Sequence, residues 1–306
     1  MDLQRRITER EGEFLLFAVT PPRGTTSPDK AQEIADVTMS RLEALRPDGL
    51  VLYDIEDESD RNAEERPFPF LPTMNPADYL TRHLAEWARP VVVYRAVGKY
   101  EEEDLRSWLS DQETDRTLSV FVGASSRDKP VATSLSRAQS LRAEITPDLL
   151  LGGVAIPERH ARSEREHLRL LAKQTAGCTF FVTQVVYDIN AAKDLVSDYR
   201  YECAARGIDP VPIVFTFSVC GSMKTLEFLK WLGVDVPRWI QNELEHADDT
   251  LQTSLEHALA TALELMAFCR RLGVPFGLNV ESVSNRRAEI EASVDLASRL
   301  RAELHR

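Results

Sequence analysis

The sequence predicts an α/β protein: one (β/α)8 TIM barrel domain over residues 1–306, with a helix ahead of the first strand and extra helices after the seventh. Three observations carry this. Eight short apolar runs of strand character recur, separated by stretches of helical spacing, an alternation that favours parallel pairing. The chain has 306 residues, 43% of them hydrophobic, enough to fill one barrel-sized core. No G-x-G-x-x-G follows the first strand, which removes the usual dinucleotide fingerprint of the alternative, a doubly wound open sheet.

The elements follow in order. Residues 1–12 are charged and suit a short amphipathic helix rather than a signal peptide. Phe14 to Thr20 is the first strand, stopped at Pro21-Pro22-Arg23 because neither proline favours a strand interior. Ser27-Pro28-Asp29 has the cap and first-turn chemistry of a helix start, and Ile34, Val37, Leu42 and Leu45 keep helical spacing up to Pro47. Gly49 to Tyr53 is the second strand and runs into an acidic loop, Asp54 to Asp60; Asn75-Pro76 then opens a helix through Trp87. Pro90 to Tyr94 is the third strand, and the helix Glu101 to Leu109 carries acids in its first turn, where the helix dipole favours them. Leu118 to Val122 and Leu149 to Ile156 are strands four and five, with a helix at Ser134 to Ile145 between them. Gly152 and Gly153 point to close packing or a ligand near the backbone.

Ser163 to Thr175 is strongly helical and leads into the run Thr179 to Asp188. Alternation there groups Phe180, Val182 and Gln184 on one face, an apolar stack topped by an amide, and Asp188 stands where the helix Asn190 to Arg206 begins. Val211 to Phe217 is strand seven, followed by short helical segments around Leu226 and Trp239 and a long helix, Thr250 to Leu272. Pro275 to Glu281 is strand eight and Ser284 to Leu304 the last helix.

A formal charge of -12 disfavours nucleic acid and anionic membranes as partners, and no apolar run reaches membrane-spanning length. Cys178, Cys203, Cys220 and Cys269 are widely spaced without a C-x-x-C pair, as expected of reduced thiols in a cytoplasmic protein. There is no Walker loop and no metal-spaced His/Cys cluster. The long helix has enough apolar positions, Leu255, Leu259, Ala262 and Met266 among them, to dock on its own barrel or on a second subunit, so monomer and homo-oligomer stay open.

In a barrel, functional groups gather where strands end and βα loops begin. That rule nominates Thr20, Asp54, Glu56, Tyr94, Ala124, Glu158, His160, Gln184, Ser218 and Glu281. Four motifs at or after these strand ends carry a resemblance. Phe17-Ala-Val-Thr-Pro-Pro-Arg23 looks like F-E-F-F-P-P-R, and Ala155-Ile-Pro-Glu-Arg-His160 like A-Y-P-E-x-H. Thr183-Gln184 with Asp188 looks like T-Q-x-x-x-D, and Val236-Pro-Arg-Trp239 like I-P-x-W. In that order, on those elements, the chain resembles the methylenetetrahydrofolate reductases, (β/α)8 barrels that reduce methylene-folate to methyl-folate with a nicotinamide, usually through bound FAD.

The resemblance implies a folate substrate, NADH or NADPH as hydride source, and a place in one-carbon metabolism and methionine biosynthesis. By the same resemblance Gln184 hydrogen-bonds the pterin, and Glu158 and His160 line the fifth βα loop, where the family holds its cofactor. The plain structural readings are an amide satisfying strand-end backbone, a helix-start Glu and a surface His. The family's glutamate that protonates folate falls at Ala18, and the aspartate near the flavin at Ala124. Glu166, Arg169, Ala172 and Lys173 fall on the positions contacting the flavin tail, so only part of that set survives and FAD stays open. One explanation is a flavin-independent branch in which nicotinamide lies over the pterin and passes its hydride directly.

Direct transfer still needs an acid. Strands eight and two flank strand one in a closed barrel; Glu281, on one face with Gly277 and Asn279, is the first candidate and Asp54, with Glu56, the second. Thr20, Tyr94 and Ser222 are candidate substrate contacts, with Arg23 and Lys99 available to a glutamate tail or cofactor phosphate. The competing readings are a degenerate folate-binding or regulatory homologue, which Ala18 would suit, and a reductase of another pterin or one-carbon substrate.

Overall fold

The computed structural model describes residues 3–59, 64–124 and 130–304. Its strands are β1 (Phe14–Val19), β2 (Gly49–Leu52), β3 (Val91–Ala96), β4 (Thr117–Val122), β5 (Leu151–Ala155), β6 (Cys178–Val185), β7 (Ile213–Ser218) and β8 (Phe276–Glu281). They close into a parallel barrel in chain order, the architecture the alternating pattern predicts. Two compact units divide the chain, one of Ala18–Gly153 and one of Met1–Phe17 with Val154–Arg306.

In the first unit, β2 pairs in parallel with β3, and β3 with β4 from Val91↔Thr117 to Ala96↔Val122. Its helices are α2 (Pro28–Leu45), α3 (Pro76–His83), α4 (Glu102–Ser110) and α5 (Leu135–Ile145). Each starts for a local reason. Ser27, Asn75 and Ser134 accept hydrogen bonds from first-turn amides of α2, α3 and α5, and α4 has Glu102, Glu103 and Asp104 in its first turn. The segment after β1 is held by an antiparallel bridge between Arg23 and Thr73, so the two prolines end the strand and the next residues pair elsewhere.

In the second unit the N-terminal helix α1 (Leu3–Thr8) buries Leu3 and Ile7. Gly12, at φ 70°, makes the turn into β1, where a side chain would strike the Phe276 backbone. Past β5 come α6 (Pro157–Ser163) and α7 (Glu166–Thr175); α8 (Ile189–Arg206) follows β6, α9 (Met223–Trp231), α10 (Arg238–His246) and α11 (Thr250–Leu272) follow β7, and α12 (Arg287–Leu304) follows β8. The extra helices after strand seven are thus present. Fully buried Phe180, Phe181, Phe215 and Phe217 fill the unit's core, each stabilising it by roughly 2–3 kcal/mol relative to exposure. All four cysteines are buried, and none forms a disulfide. No helix among the described residues is long and apolar enough to cross a membrane.

Two expectations need correction. The Pro-Glu-Arg-His stretch after β5 is not a loop: Pro157 takes the first helical position, where its missing N–H costs nothing, and α6 runs until Glu164 turns left-handed at φ 52°. The helix expected from Ser163 therefore starts at Glu166. In β6 the register shifts between Val182 and Val185, the interval that contains Gln184. Val182 pairs with Val214 but Val185 with Thr216, so three steps of β6 oppose two of β7 in a bulge.

Candidate active site

Three arrangements, each inside one unit, hold the polar groups of interest. The first sits on β6, β7 and β8. Phe276 directs its ring to Arg270 of α11, 5.9 Å away, so the alternate residues Gly277, Asn279 and Glu281 turn toward the barrel interior. This confirms the face expected from alternation. Asn279, fully buried, donates Nδ2–H to Thr216 Oγ1 at 3.2 Å, and the Thr216 N–H is accepted by Thr183 Oγ1 at 2.9 Å. The bulge thus puts a side-chain oxygen where a ladder carbonyl would otherwise stand. One step toward the strand ends, Ser218 pairs in register with Glu281. A threonine–asparagine layer capped by serine and glutamate lies at the carboxyl ends of these strands, where barrel chemistry is done.

The second arrangement is an open cleft of about 370 Å³ lined by Asp188, Lys230, Val234, Asp235, Val236, Pro237 and Gln241. Two of the sequence motifs meet here. Asp188 caps α8 by accepting from the Asn190 and Ala191 amides at 2.9 and 3.3 Å. Lys230 donates to Gln241 Oε1 at 3.0 Å, and Gln241 donates to the Val236 carbonyl at 2.6 Å. The floor is apolar: Val185, Tyr187, Leu226, Leu229, Ile240 and Leu244. Gln184, half-buried within the bulged stretch, donates Nε2–H to the Leu232 carbonyl at 3.1 Å and so ties β6 to the end of α9. Behind the cleft Arg162 grips both oxygens of Asp235 at 3.1 Å. Glu158, 3% exposed, is pushed up to about 7 by burial, with the Asp235 charge adding and its own backbone N–H and Arg162 opposing.

The third lies in the other unit. Asp54, its side chain 1% exposed, accepts from Lys99 Nζ at 2.5 Å, the Ala96 N–H at 2.8 Å and the Tyr100 hydroxyl at 2.9 Å. Three donors on one carboxylate make it a fastener for the turn after β3 rather than a proton donor. Arg95 stands beside it, buried, 4.0 Å from the Tyr100 ring centroid and 4.5 Å from that of Trp108, with Nη1 donating to Asn75 at 3.1 Å. Burial pushes its guanidinium below the ordinary range. Because Arg95 faces α4, Tyr94 faces the barrel interior, edge-on to Tyr53 at 4.8 Å.

The remaining expected residues scatter. Thr20 is exposed just beyond β1, Ala124 exposed just after β4, and Ala18 buried. Arg23 is exposed and Lys99 is held by Asp54. The acidic loop is not uniformly solvated, since Asp54 is buried; Asp60, its last member, lies outside the described residues. Ser222 caps α9, accepting from the Thr225 N–H at 3.3 Å. His160 and Glu166 are 2% and 0% exposed, Lys173 donates to the Val154 carbonyl, and Glu166 pairs with Arg169 at 3.2 Å. Sequence reasoning missed Thr216, Lys230, Asp235 and Arg95. A polar residue inside an apolar strand, as in Phe215-Thr-Phe217, is the signal that could have found Thr216.

Residues 125–279 match the model of the methylenetetrahydrofolate reductase family. A solved structure of an uncharacterized protein from Clostridium thermocellum, which binds two copies of 5-methyl-5,6,7,8-tetrahydrofolic acid, is 40% identical; the match covers 98% of this chain and 99% of that one at a TM-score of 0.88. The chain belongs to the methylenetetrahydrofolate reductase family. A GH113 β-1,4-mannanase (11% identity, 96% of this chain and 98% of that one, TM-score 0.51) and CbXyn10B (12%, 92% and 88%, TM-score 0.50) share the fold alone. No curated protein matches the chain.

Methylenetetrahydrofolate reductases ordinarily work through a flavin, and the residues here do not fit its tail. Two side chains at the tail-contacting positions are turned inward: Glu166 is buried and paired with Arg169, and Lys173 donates to the Val154 carbonyl. Ala124 offers a methyl group where the family places a charge beside the ring.

Proposed function

We propose that the protein reduces 5,10-methylenetetrahydrofolate to 5-methyltetrahydrofolate with a hydride taken directly from NADH or NADPH. The observation that supports this reading is the face of β8: Asn279 bonds Thr216 inside the barrel, and Glu281 follows two residues later at the carboxyl end of the strand, in register with Ser218. A family member needs an acid to open the methylene bridge, and the position expected for it on β1 is Ala18. Strand order sets β8 and β2 beside β1, so either neighbour can supply a replacement. Of the two candidates, Asp54 accepts from Lys99, Tyr100 and Ala96 and serves as a fastener, and this reading assigns the proton to Glu281. Its proton goes to the bridging nitrogen as the ring opens, and the resulting iminium carbon accepts the hydride. Gln184 presents an amide whose donor and acceptor match the pterin edge, and Thr20, Tyr94 and Ser222 are further substrate contacts in this reading.

The test is NADH or NADPH oxidation by freshly purified, colourless protein in flavin-free buffer. Oxidation that requires methylene-folate, and falls about 100-fold or more in Glu281→Gln, is the expected outcome. Unchanged turnover in that variant removes Glu281 as the acid, and a yellow protein whose activity follows its flavin content removes direct transfer. Ala18 also favours a second reading, a folate-binding protein without turnover, and the Clostridium thermocellum relative binds a methyl-folate. Colourless protein that binds folate and leaves the nicotinamide unoxidised would select it.

A further inference from the structure

We propose that His160, His167 and Asp198 form a binding site for a divalent transition metal, of the zinc type, that joins three helices. The residues come from α6, α7 and α8, and one ligand atom of each lies within 4.8 Å of the other two. His160 Nε2 already stands 3.2 Å from Asp198 Oδ2, close to the roughly 3.3 Å that separates two ligands of a tetrahedral zinc with bonds near 2.0–2.1 Å. His167 sets its ring edge-on to His160, with centroids 5.3 Å apart and planes at 81°.

A simple His–Asp pair accounts for only part of this. It uses His160 Nε2 and leaves His167, whose buried Nδ1 has no hydrogen-bond partner, out of the pairing. A neutral imidazole always carries one bare lone pair, and burying it unpartnered is unfavourable. Two imidazole nitrogens and one carboxylate are the donor set that zinc accepts, and the ion takes up lone pairs and negative charge together. His160 is 2% exposed, whereas the Asp198 side chain is 50% exposed, so the site opens on one side to solvent for entry and a fourth, water ligand.

The consequence for the fold is a clamp. α6 carries Glu158, and α8 begins at the Asp188 cap on the rim of the cleft. Metal here ties α6 and the middle of α8 to α7. Nothing in this depends on the folate reading, because metal binding is measured without substrate.

The probe is Zn²⁺ alone, titrated by calorimetry and by competition with a chromophoric chelator into the chelator-stripped full chain. One zinc per chain, micromolar or tighter, with a thermal midpoint raised by several degrees, is expected. Asp198→Asn, at a half-exposed position that leaves the fold intact, and His167→Gln each weaken binding by about tenfold or more and abolish the midpoint rise. Circular dichroism confirms that both variants fold. Absence of stoichiometric binding overturns the site, as does zinc bound equally well by the double variant, which places the metal elsewhere.

Discussion

Replacing Glu158 by Gln tests the buried acid behind the cleft. Its carboxyl, ordinarily near 4.5, is raised to about 7 by burial beside Asp235. Below about pH 4.5 the group is protonated in both folded and unfolded chains and costs nothing. As pH rises from 4.5 to 7 the unfolded chain gains the free energy of ionising while the folded one does not, so stability falls across that window and levels off above it. At about 1.4 kcal/mol per pH unit the full span is worth about 3 kcal/mol. Gln keeps the shape of the protonated acid and cannot ionise. Urea unfolding of both proteins from pH 4.5 to 8 should show equal stability at the acid end and Glu158→Gln more stable by up to about 3 kcal/mol at pH 7.5. A difference between them that does not change with pH would falsify the raised carboxyl. Carboxylates held low by ion pairs, such as Glu13 beside Arg270, lose their contribution as pH falls below the ordinary range, outside this window.

Three further perturbations follow from the geometry. Gly277→Ala places a methyl 2.4 Å from the fully buried Phe14 ring, which has no room to withdraw; unfolding by urea should show a loss of about 1–3 kcal/mol. Asp54→Ala removes the acceptor for Lys99, Tyr100 and the Ala96 amide, and thermal or urea unfolding should show a loss of about 2–3 kcal/mol; an unchanged midpoint would show that the network is optional. Gln184→Ala frees the Leu232 carbonyl at a cost of about 1 kcal/mol and lowers folate affinity, measured by calorimetry, by about tenfold or more. Folate affinity equal to wild type would confine Gln184 to the structural role.

The barrel was legible because strand and helix periods differ, and several strands end near a proline, glycine or acidic cluster, as at Pro21, Asp54, Gly123 and Pro157. The inner face of β8 was legible too, since alternation groups Asn279 with Gly277 and Asn279 bonds Thr216 inside the barrel. Gln184 was not, because a bulge inserts one residue and leaves no mark in the sequence of β6. The acidic loop misled for a different reason: charge density predicts solvation, but Asp54 is buried by donors some forty residues further on, a pairing local composition cannot announce. His160 lies in a helix rather than a loop because Pro157, suited to a first helical position, sets the local structure. Its partners at 167 and 198 follow no short spacing rule, so a search for metal-spaced pairs passes over them.

The inward-turned polar residues and the missing charge at Ala124 are best understood as one change. A resident flavin requires donors that remain available at its tail and a charge beside its ring. At these positions the side chains instead satisfy one another: Glu166 pairs with Arg169, Lys173 donates to a β5 carbonyl, and His160 stands beside Asp198. Turning them toward a flavin would break these contacts, and re-exposing the fully buried Glu166 would take it from Arg169. A hydride donor that arrives, reacts and leaves makes no such permanent claim on side chains, so the direct transfer proposed above is compatible with these pairings.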